Sequence, residues 1–440
     1  MFAGVSRDKQ KGYNKNDIYL KQAGAIARLM HLTVSIEKYL KDNLPSYLDL
    51  LRQMVAINSF TANPDGVNRL GELTAEFFAP LGFQADTVQS VNPQYGKHVI
   101  LTRQGELPAY PLAMISHLDT VFSPDEEKRH DFAWRPAGER IFGPGTVDIK
   151  GGTLVMYMLL DVLRHFSPRT FEQTTWILLL DASEEALSVD FGELCLQRLP
   201  ENTLACLVFE GGTNAGEYFP LVTARKGRAT YHVAVEGKSA HAGNFHANGA
   251  NAILQISHTI QKIAALTDYN QQITFNVGTI AGGSVINRVP HSAEASVEMR
   301  AFDMGVFNQG VASMLALSGT SEVVSADGYR CKVSIDLKEK TAPWPPNPAT
   351  QRLYDLWDQT ARSLGMRVSQ EQRGGLSDGN LLWDRFPTLD GLGPAGNNAH
   401  CSERSLDGNK NQEYVLVGSF VPKALLNALA VKRLIEGAAV

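Results

Sequence analysis

Two different strand patterns divide this chain of 440 residues. Before about residue 223, the strand-like runs are short and apolar throughout, which is typical of a sheet with helices on both faces. Beyond that point the runs alternate apolar and polar residues, as in "RATYHVAVEG" at residues 228–237, which is typical of a sheet with one face in water. A chain of this length is also too long for a single compact core. The sequence therefore predicts two domains with different kinds of sheet.

The first pattern predicts an α/β domain. Apolar residues recur at helical spacing over residues 36–55 and 67–81 and predict two amphipathic helices. Strand-like and helical segments alternate after them. The strands are "HVILTR", "PLAMISHLD", "TTWILLLDAS" and "LACLVFEGG", and the long buried helix is "TLVMYMLLDVLRHF". This alternation predicts a mixed, mostly parallel sheet flanked by helices.

The second pattern predicts a smaller inserted domain. Between residues 224 and 340 the segments follow the order β-α-β-β-α-β, which is that of a ferredoxin-like α+β sandwich. The stretch "TAPWPPNP", with four prolines in eight residues, then marks a boundary. Beyond this boundary the segments again show the apolar pattern of the first domain. We therefore expect an N-terminal extension at 1–35, an α/β domain in two pieces at 36–223 and 341–440, and an insertion at 224–340.

Charge and cysteine content argue against several classes of protein. The net charge is −5 and no dense Lys/Arg cluster occurs, so we expect no nucleic-acid partner. The four cysteines are widely spaced and form no CxxC pair, which argues against a zinc ribbon or a disulfide framework. The N-terminus lacks the apolar core of a signal peptide, and no apolar run approaches the roughly 20 residues of a membrane span. These features predict a cytoplasmic protein with no membrane partner.

Seven polar residues lie just past a predicted buried strand or in a glycine-rich loop, where α/β proteins bind their ligands. They are His117 and Asp119 in "SHLDT", Asp148 in "GPGTVDIKGG", Glu184 and Glu185 in "DASEEA", Glu210 in "FEGG", and His400 in "GNNAH". Each alone has a common structural explanation, such as a turn residue or an acid at a helix start. Together, two histidines and three of the acids are enough to ligate two divalent ions with one bridging carboxylate.

Local spacing adds detail to this candidate site. His117 and Asp119 are two residues apart in an extended segment, so their side chains point to the same side of the chain. That geometry suits an imidazole that binds a metal while a carboxylate fixes its other ring nitrogen. Glu184 and Glu185 are neighbours, point in different directions and can serve different roles. A nucleotide-binding enzyme is not supported, because the chain shows neither GxGxxG spacing in "GPGTVDIKGG" nor a GxxxxGK[ST] motif.

Seven motifs, in this order along the chain, resemble those of the M20 metallopeptidases. They are "SHLDTV", "GPGTVDIKGG", "SEE", "FEGG", "GKSAHAG", "GGLSDGN" and "AHCSE", and the resemblance covers about residues 40–437. This family contains glutamate carboxypeptidase, succinyl-diaminopimelate desuccinylase, acetylornithine deacetylase and aminoacylase. The resemblance implies that the α/β domain is catalytic and that the insertion is a lid and dimerisation domain.

The resemblance also implies a cofactor and its ligands. The cofactor would be two Zn²⁺ ions, for which Co²⁺ or Mn²⁺ could substitute. Asp148 would bridge the two ions, with the remaining ligands divided between them: His117 and Glu210 on one ion, Glu185 and His400 on the other. Glu184 would be the general base, and Asp119 would orient His117.

Other matching positions concern the substrate and a second subunit. His241 in "SAHAG" matches the family histidine that reaches into a neighbouring subunit's site, which implies a homodimer formed through the inserted domain. Five further residues match positions on the substrate side of the site: Asn287, Arg300, Gly374, Gly375 and Asp378. Where some glutamate-releasing members carry a lysine, this chain has Glu217 and Tyr218, so the motifs do not specify an acidic side chain.

These inferences predict a dizinc hydrolase that cleaves an amide bond in a small peptide or N-acyl amino acid with a free α-carboxylate. An exopeptidase of the carboxypeptidase type is favoured. An N-acyl amino acid deacylase or desuccinylase remains the main alternative, because both reactions attack the same carbonyl and differ in what flanks it. A catalytically inactive metal-binding scaffold is a further alternative, although no predicted ligand and no predicted base is missing from the sequence.

Overall fold

The computed structural model describes residues 15–106, 110–188, 190–213, 218–405 and 407–438, with side chains from residue 30 onwards. These residues form ten α-helices: α1 Lys15–Val55, α2 Pro64–Phe78, α3 Pro124–Arg129, α4 Lys150–Phe166, α5 Pro168–Gln173, α6 Phe191–Arg198, α7 Ala252–Ala264, α8 Met304–Leu315, α9 Pro348–Ser363 and α10 Phe420–Ala438. None of these helices combines the length and the apolar character that crossing a lipid bilayer requires.

The same residues form seventeen strands. In chain order they are β1 Gln84–Gln89, β2 Lys97–Arg103, β3 Leu112–His117, β4 Arg135–Ala137, β5 Arg140–Phe142, β6 Trp176–Asp181, β7 Ala205–Val208, β8 Gly212–Thr213, β9 Tyr218–Arg225, β10 Gly227–Glu236, β11 Thr274–Gly282, β12 Ser292–Ala301, β13 Lys332–Thr341, β14 Arg367–Arg373, β15 Thr388–Leu389, β16 Ala395–Asn397 and β17 Tyr414–Leu416.

A six-stranded mixed sheet in the order β1-β2-β6-β3-β7-β15 forms the centre of the larger domain. Three of its five pairings are parallel, namely β3 with β6, β3 with β7, and β7 with β15. Side chains alternate between the two faces: Leu112 and Met114 belong to the core with α1, α4 and α10, whereas Ala113 and Ile115 pack with α6. Both faces are covered, which explains the continuous apolar runs and confirms the predicted mixed, mostly parallel sheet.

The inserted domain has the predicted ferredoxin-like order. Its elements run β10, α7, β11, β12, α8, β13, and its sheet has the order β11-β12-β10-β13 with antiparallel pairing throughout. Every second residue of β10 is buried, and these side chains pack with Ile256 of α7 and Phe307 of α8. One face of the sheet thus carries the helices and the other is more open, as the alternating pattern predicts.

Short polar residues begin the helices of the second half of the chain. The side chain of Asn251 accepts a hydrogen bond from the backbone N–H of Leu254 at the start of α7. The side chain of Asp303 accepts one from the backbone N–H of Val306 at the start of α8. At the start of α9, the side chain of Asn347 accepts two backbone N–H groups. Each cap satisfies a donor that has no partner within the helix, and therefore fixes where the helix begins.

Several elements differ from the sequence interpretation. Helix α1 already begins at Lys15, so much of the predicted extension at 1–35 continues into the predicted helix at 36–55, while residues 1–14 lie outside the described residues. Strands β1, β9 and β14 were not predicted. Strand β1 has no buried residue, and the end of the buried strand β9 lies beyond residue 223. The domain boundaries stay a prediction; residue 224 lies near the end of β9, and residue 340 lies near the end of β13.

Candidate metal centre

Most of the predicted ligands lie at one edge of the six-stranded sheet. His117 is the last residue of β3, Glu210 lies two residues beyond β7, and Glu184 and Glu185 begin a short 3₁₀ turn after β6. Because β3, β6 and β7 run parallel, their carboxyl ends meet at the same edge. The sheet therefore brings together residues that are far apart in sequence.

Asp148 lies at the centre of this group. Its Oδ1 is 3.2 Å from Nε2 of His117, and its Oδ2 is 3.3 Å from Nε2 of His400. On the first side, Oε1 of Glu210 is 3.7 Å from the same nitrogen of His117. On the second side, Oε2 of Glu185 is 3.1 Å from that nitrogen of His400. The five residues thus form two pairs that share one aspartate.

The glycine-rich segment before and after Asp148 allows a close approach of backbones. Gly145 has φ +76°, in the left-handed region that favours glycine. A Cβ on Gly152 would lie 1.9 Å from the carbonyl oxygen of Phe209, so no larger residue fits there without a shift of β7 or α4. The peptide bond from Asp148 to Ile149 is cis. Glycine is therefore needed where this loop turns and where α4 meets the strand that leads to Glu210.

Asp119 contacts residues on both sides of the cluster, namely His117 and the turn that carries Glu184 and Glu185. Its carboxylate and its backbone oxygen lie 3.4 and 3.0 Å from Nδ1 of His117, which leaves Nε2 directed at Asp148. The same carboxylate accepts the backbone N–H groups of Glu184 and Glu185, and it accepts the hydroxyl of Thr61 at 2.6 Å. Asp119 thus contacts His117, which the sequence predicts it to orient, and it also holds the glutamate turn.

Glu413 is a residue of the site that the sequence interpretation missed. It is fully buried, and its Oε1 accepts the backbone N–H groups of Val147 and Asp148 at 2.8 and 3.2 Å. Its other oxygen has no partner among the described residues. Burial raises the pKa of Glu413 to about 8, and the nearby Asp148 adds to the rise. Glu413 lies directly before the apolar strand "YVL", whereas the residues selected from the sequence lie just past a strand or in a glycine-rich loop, so that criterion did not include it.

The acids of the cluster need positive charge. Burial raises the pKa of Glu185, and it raises the pKa of Glu210 to about 8, with the charge of Asp148 adding to both shifts. Hydrogen bonds to Asp148 and Glu185 raise the pKa of His400 to about 11. Burial lowers the pKa of His117, but its bonds to neighbouring aspartates raise it well above the usual range. Without a cation, the imidazoles thus keep protons that compensate the carboxylates.

These donors fit divalent cations. Ligand atoms of His117, Asp148 and Glu185 all lie within 4.8 Å of one another, and imidazole nitrogen with carboxylate oxygen is a donor set that zinc accepts. A dication would supply the charge that the acids require and would displace the protons of the imidazoles. The chemistry of these residues therefore fits a divalent metal ion at this cluster.

A cavity of about 570 Å³ opens from this centre, and part of its wall is basic. Gly374, Gly375 and Arg300, which the sequence assigns to the substrate side, line it, and so do three arginines that were not predicted: Arg225, Arg228 and Arg373. The guanidinium of Arg300 donates to the carbonyl of Gly374 at 2.7 Å and to Glu298, so it joins the inserted domain to the larger one. The cavity therefore has an acidic floor and a wall rich in arginine.

Among the residues predicted to act on the substrate or in a second subunit, three do not line this cavity. His241 and Asn287 are exposed on the inserted domain, and Asp378 lines a neighbouring cavity instead. Nδ1 of His241 accepts the backbone N–H groups of Gly243 and Asn244, both at 3.1 Å. The proton of this imidazole therefore resides on Nε2, which is free to act as a donor.

Replacing Glu413 tests its role in holding Asp148. We expect Glu413→Ala to weaken zinc binding about 10- to 100-fold, because the backbone of the Asp148 loop loses its acceptor. Glu413→Gln keeps an acceptor oxygen and should restore most of the affinity. Competition with a zinc-sensitive chelator measures the affinity, and a thermal melt confirms folding. Glu403→Ala removes an exposed acid and serves as the control; equal affinities for the wild type and Glu413→Ala would contradict the assignment.

Comparisons with known proteins agree with the fold and the motifs. Residues 223–314 match the M20 peptidase dimerisation domain. The chain is 27% identical over 259 residues to carboxypeptidase G2 of Pseudomonas sp. (strain RS-16), in an alignment that covers 59% of this chain and 60% of that protein. It is 26% identical over 277 residues to acetylornithine deacetylase of Klebsiella pneumoniae (strain 342), covering 59% of this chain and 69% of the relative. The similarity thus spans less than two thirds of the carboxypeptidase.

A solved structure extends the likeness in fold. The aminopeptidase PepT of Bacillus cereus ATCC 10987 superposes with a TM-score of 0.68 at 20% identity, over 90% of this chain and 99% of that one. At this identity the likeness concerns the fold alone. The inserted domain, the related sequences and the shared architecture agree with the resemblance seen in the motifs. The chain is therefore similar in sequence to M20 peptidases, and its residues 223–314 match their dimerisation domain.

Proposed function

We propose that this chain is a metal-dependent hydrolase that cleaves an amide bond in a small peptide or an N-acyl amino acid with a free α-carboxylate. The observation that carries the proposal is the position of Asp148, with one carboxylate oxygen directed at each of two histidines. The similarity to carboxypeptidase G2 supports cleavage of the carboxypeptidase type. The four cysteines form no disulfide, which supports a reducing cytoplasm as the location.

Two divalent ions, Zn²⁺ or in its place Co²⁺ or Mn²⁺, would be held by the five clustered residues. His117 and Glu210 would hold one ion, Glu185 and His400 the other, and Asp148 would contact both. Such an ion pair, when bound, polarises the amide carbonyl and lowers the pKa of a water molecule between the ions. Proton transfer and substrate binding are assigned to residues of the chain.

Glu184 is the proposed general base. It lines the cavity beside Asp148, and its side chain has no hydrogen bond to any described residue, whereas the neighbouring Glu185 contacts His400. Its backbone N–H is fixed by Asp119, so the free carboxylate stays directed at the cavity. Burial raises the pKa of Glu184 well above its ordinary value, which strengthens it as a base. In this role Glu184 takes a proton from the attacking water and delivers it to the leaving nitrogen.

The arginines of the cavity are the proposed anchors of the substrate carboxylate. Each of three is already held by the protein: Arg300 by Glu298, Arg373 by Glu371 and Arg225 by Asp390. A planar guanidinium that is fixed in place binds a carboxylate by two hydrogen bonds with little further loss of entropy. The basic wall supports a substrate whose free carboxylate lies opposite the metal centre.

A homodimer would complete the site. The dimerisation domain supports it, and so do exposed apolar side chains on and beside β11: Ile280, Val285 and Ile286. Exposed apolar residues that lie together mark protein interfaces. In the dimer, Nε2 of His241 would donate to the carbonyl oxygen of a substrate in the partner subunit, where negative charge develops during the reaction.

Two alternatives remain. The similarity to acetylornithine deacetylase favours an N-acyl amino acid deacylase, which would use the same residues on a different acyl group. An inactive metal-binding scaffold has less support, because the proposed base and all five proposed ligands lie in one cluster. A screen of dipeptides against N-acetyl and N-succinyl amino acids distinguishes the three.

Substituting Glu184 separates catalysis from metal binding. We expect Glu184→Gln to lower kcat by about 10²- to 10⁴-fold while both metal equivalents remain bound, since the side chain is not among the proposed ligands. His117→Ala and His400→Ala should instead lose metal, as measured by elemental analysis after gel filtration. A Glu184→Gln protein that turns over at the wild-type rate would refute the assignment of the base.

Mixing two inactive variants tests the role of His241 across subunits. His241→Ala alone should be inactive, as should Glu184→Gln. After subunit exchange in equal amounts, half of the dimers contain one chain of each kind, and each of these has one intact site. We expect the mixture to recover about a quarter of the wild-type activity. If exchange is confirmed by mass spectrometry and no activity returns, His241 does not act in the partner's site.

A further inference from the structure

A second cavity lies on the other side of Glu184. Its volume is about 540 Å³, and it lies between the glutamate turn, the end of β13 and the loop that follows β14. Glu184, Leu187 and Leu376 line both this cavity and the one at the metal centre. A substrate whose scissile bond lies beside Glu184 can therefore extend into both cavities, one on each side of that bond.

Asp378 is the unusual residue of the second cavity. Only 4% of it is exposed, yet its carboxyl forms no hydrogen bond or ion pair with any described residue. Its neighbours in the same turn are both bonded: the hydroxyl of Ser377 donates to Asp390, and the amide of Asn380 donates to the carbonyls of Lys226 and Ala342. A carboxyl buried without a partner is costly, so this arrangement calls for a ligand that donates hydrogen bonds.

The rest of the cavity lining combines apolar, acidic and neutral polar residues with two lysines. Its apolar part consists of five side chains: Leu187, Met304, Leu376, Leu381 and Trp383. Two further acids, Glu339 and Asp384, lie in the lining together with Glu184 and Asp378. The two lysines of the lining are engaged elsewhere, Lys338 with Asp336, and Lys340 with Asn308 and the ring of Phe307. The cavity therefore suits a cationic donor attached to an apolar group.

We propose that this second cavity binds the amino-terminal residue of a small peptide, with its protonated amino group at Asp378 and its side chain against Trp383 and Leu381. The inference rests on the proposed amide hydrolysis and specifies its substrate class. The two cavities then differ in charge as the two ends of a peptide do, because arginines line one and unpaired acid lines the other. A free peptide is favoured over an N-acyl amino acid, which has no ammonium group to offer.

The test compares two peptides that share a scissile bond, an unblocked dipeptide and its N-acetyl derivative, with zinc-loaded full-length enzyme. We expect the wild type to prefer the unblocked peptide in kcat/KM by at least about tenfold. Asp378→Asn should lower kcat/KM for the unblocked peptide at least about ten times more than for the acetylated one. Asp355→Asn, the same change on the exposed surface of α9, should leave the ratio of the two values as in the wild type.

A second measurement needs no variant. A hydrophobic primary amine should inhibit the wild type competitively, whereas the alcohol of the same shape should not. An equal rate on the two peptides, an equal effect of Asp378→Asn on both, or equal inhibition by amine and alcohol would overturn the inference and leave amide hydrolysis standing. If zinc-loaded enzyme cleaves neither peptide nor any N-acyl amino acid, the proposed function itself fails.

Discussion

The candidate site depends on holding one carboxylate between two imidazoles. Asp148 faces His117 with one oxygen and His400 with the other, and each histidine has an acid of its own beside it. So much buried negative charge is unfavourable unless cations or protons compensate it. Glu413 fixes the backbone of Asp148 by accepting a hydrogen bond from its N–H group. Asp119 fixes His117 and the glutamate turn. The rest of the domain serves to bring these parts to one place.

The two cavities beside Glu184 differ in their charged residues, and this difference would orient a bound peptide. Arginines fixed by acids of the protein line part of the cavity that contains the metal ligands, and Arg300 donates a hydrogen bond to the carbonyl of Gly374 on the larger domain. On the other side of Glu184, the buried carboxyl of Asp378 lacks a partner among the described residues. A zwitterionic peptide matches this polarity at both ends. The base, as proposed, lies where the two regions meet.

The site residues that can be predicted from the sequence are those whose positions depend on local patterns. His117 ends one apolar strand and Glu210 lies two residues beyond another, so the strand pattern alone places both at one sheet edge. Glu413 was missed because it reaches the Asp148 loop only through the pairing of β17 with β5, between segments more than 260 residues apart. Arg225 lies on β9, which pairs with the distant β14. Asp378 was predicted to share the substrate-side loop with Gly374 and Gly375, but it lines a neighbouring cavity, because the course of that loop depends on the tertiary fold.

Zinc-edge anomalous diffraction from crystals of the zinc-loaded protein tests the central claim most directly. The account predicts two anomalous peaks in each chain, one beside His117 and Glu210 and the other beside Glu185 and His400, with Asp148 in contact with both. A single peak, or two peaks of which only one touches Asp148, would contradict it.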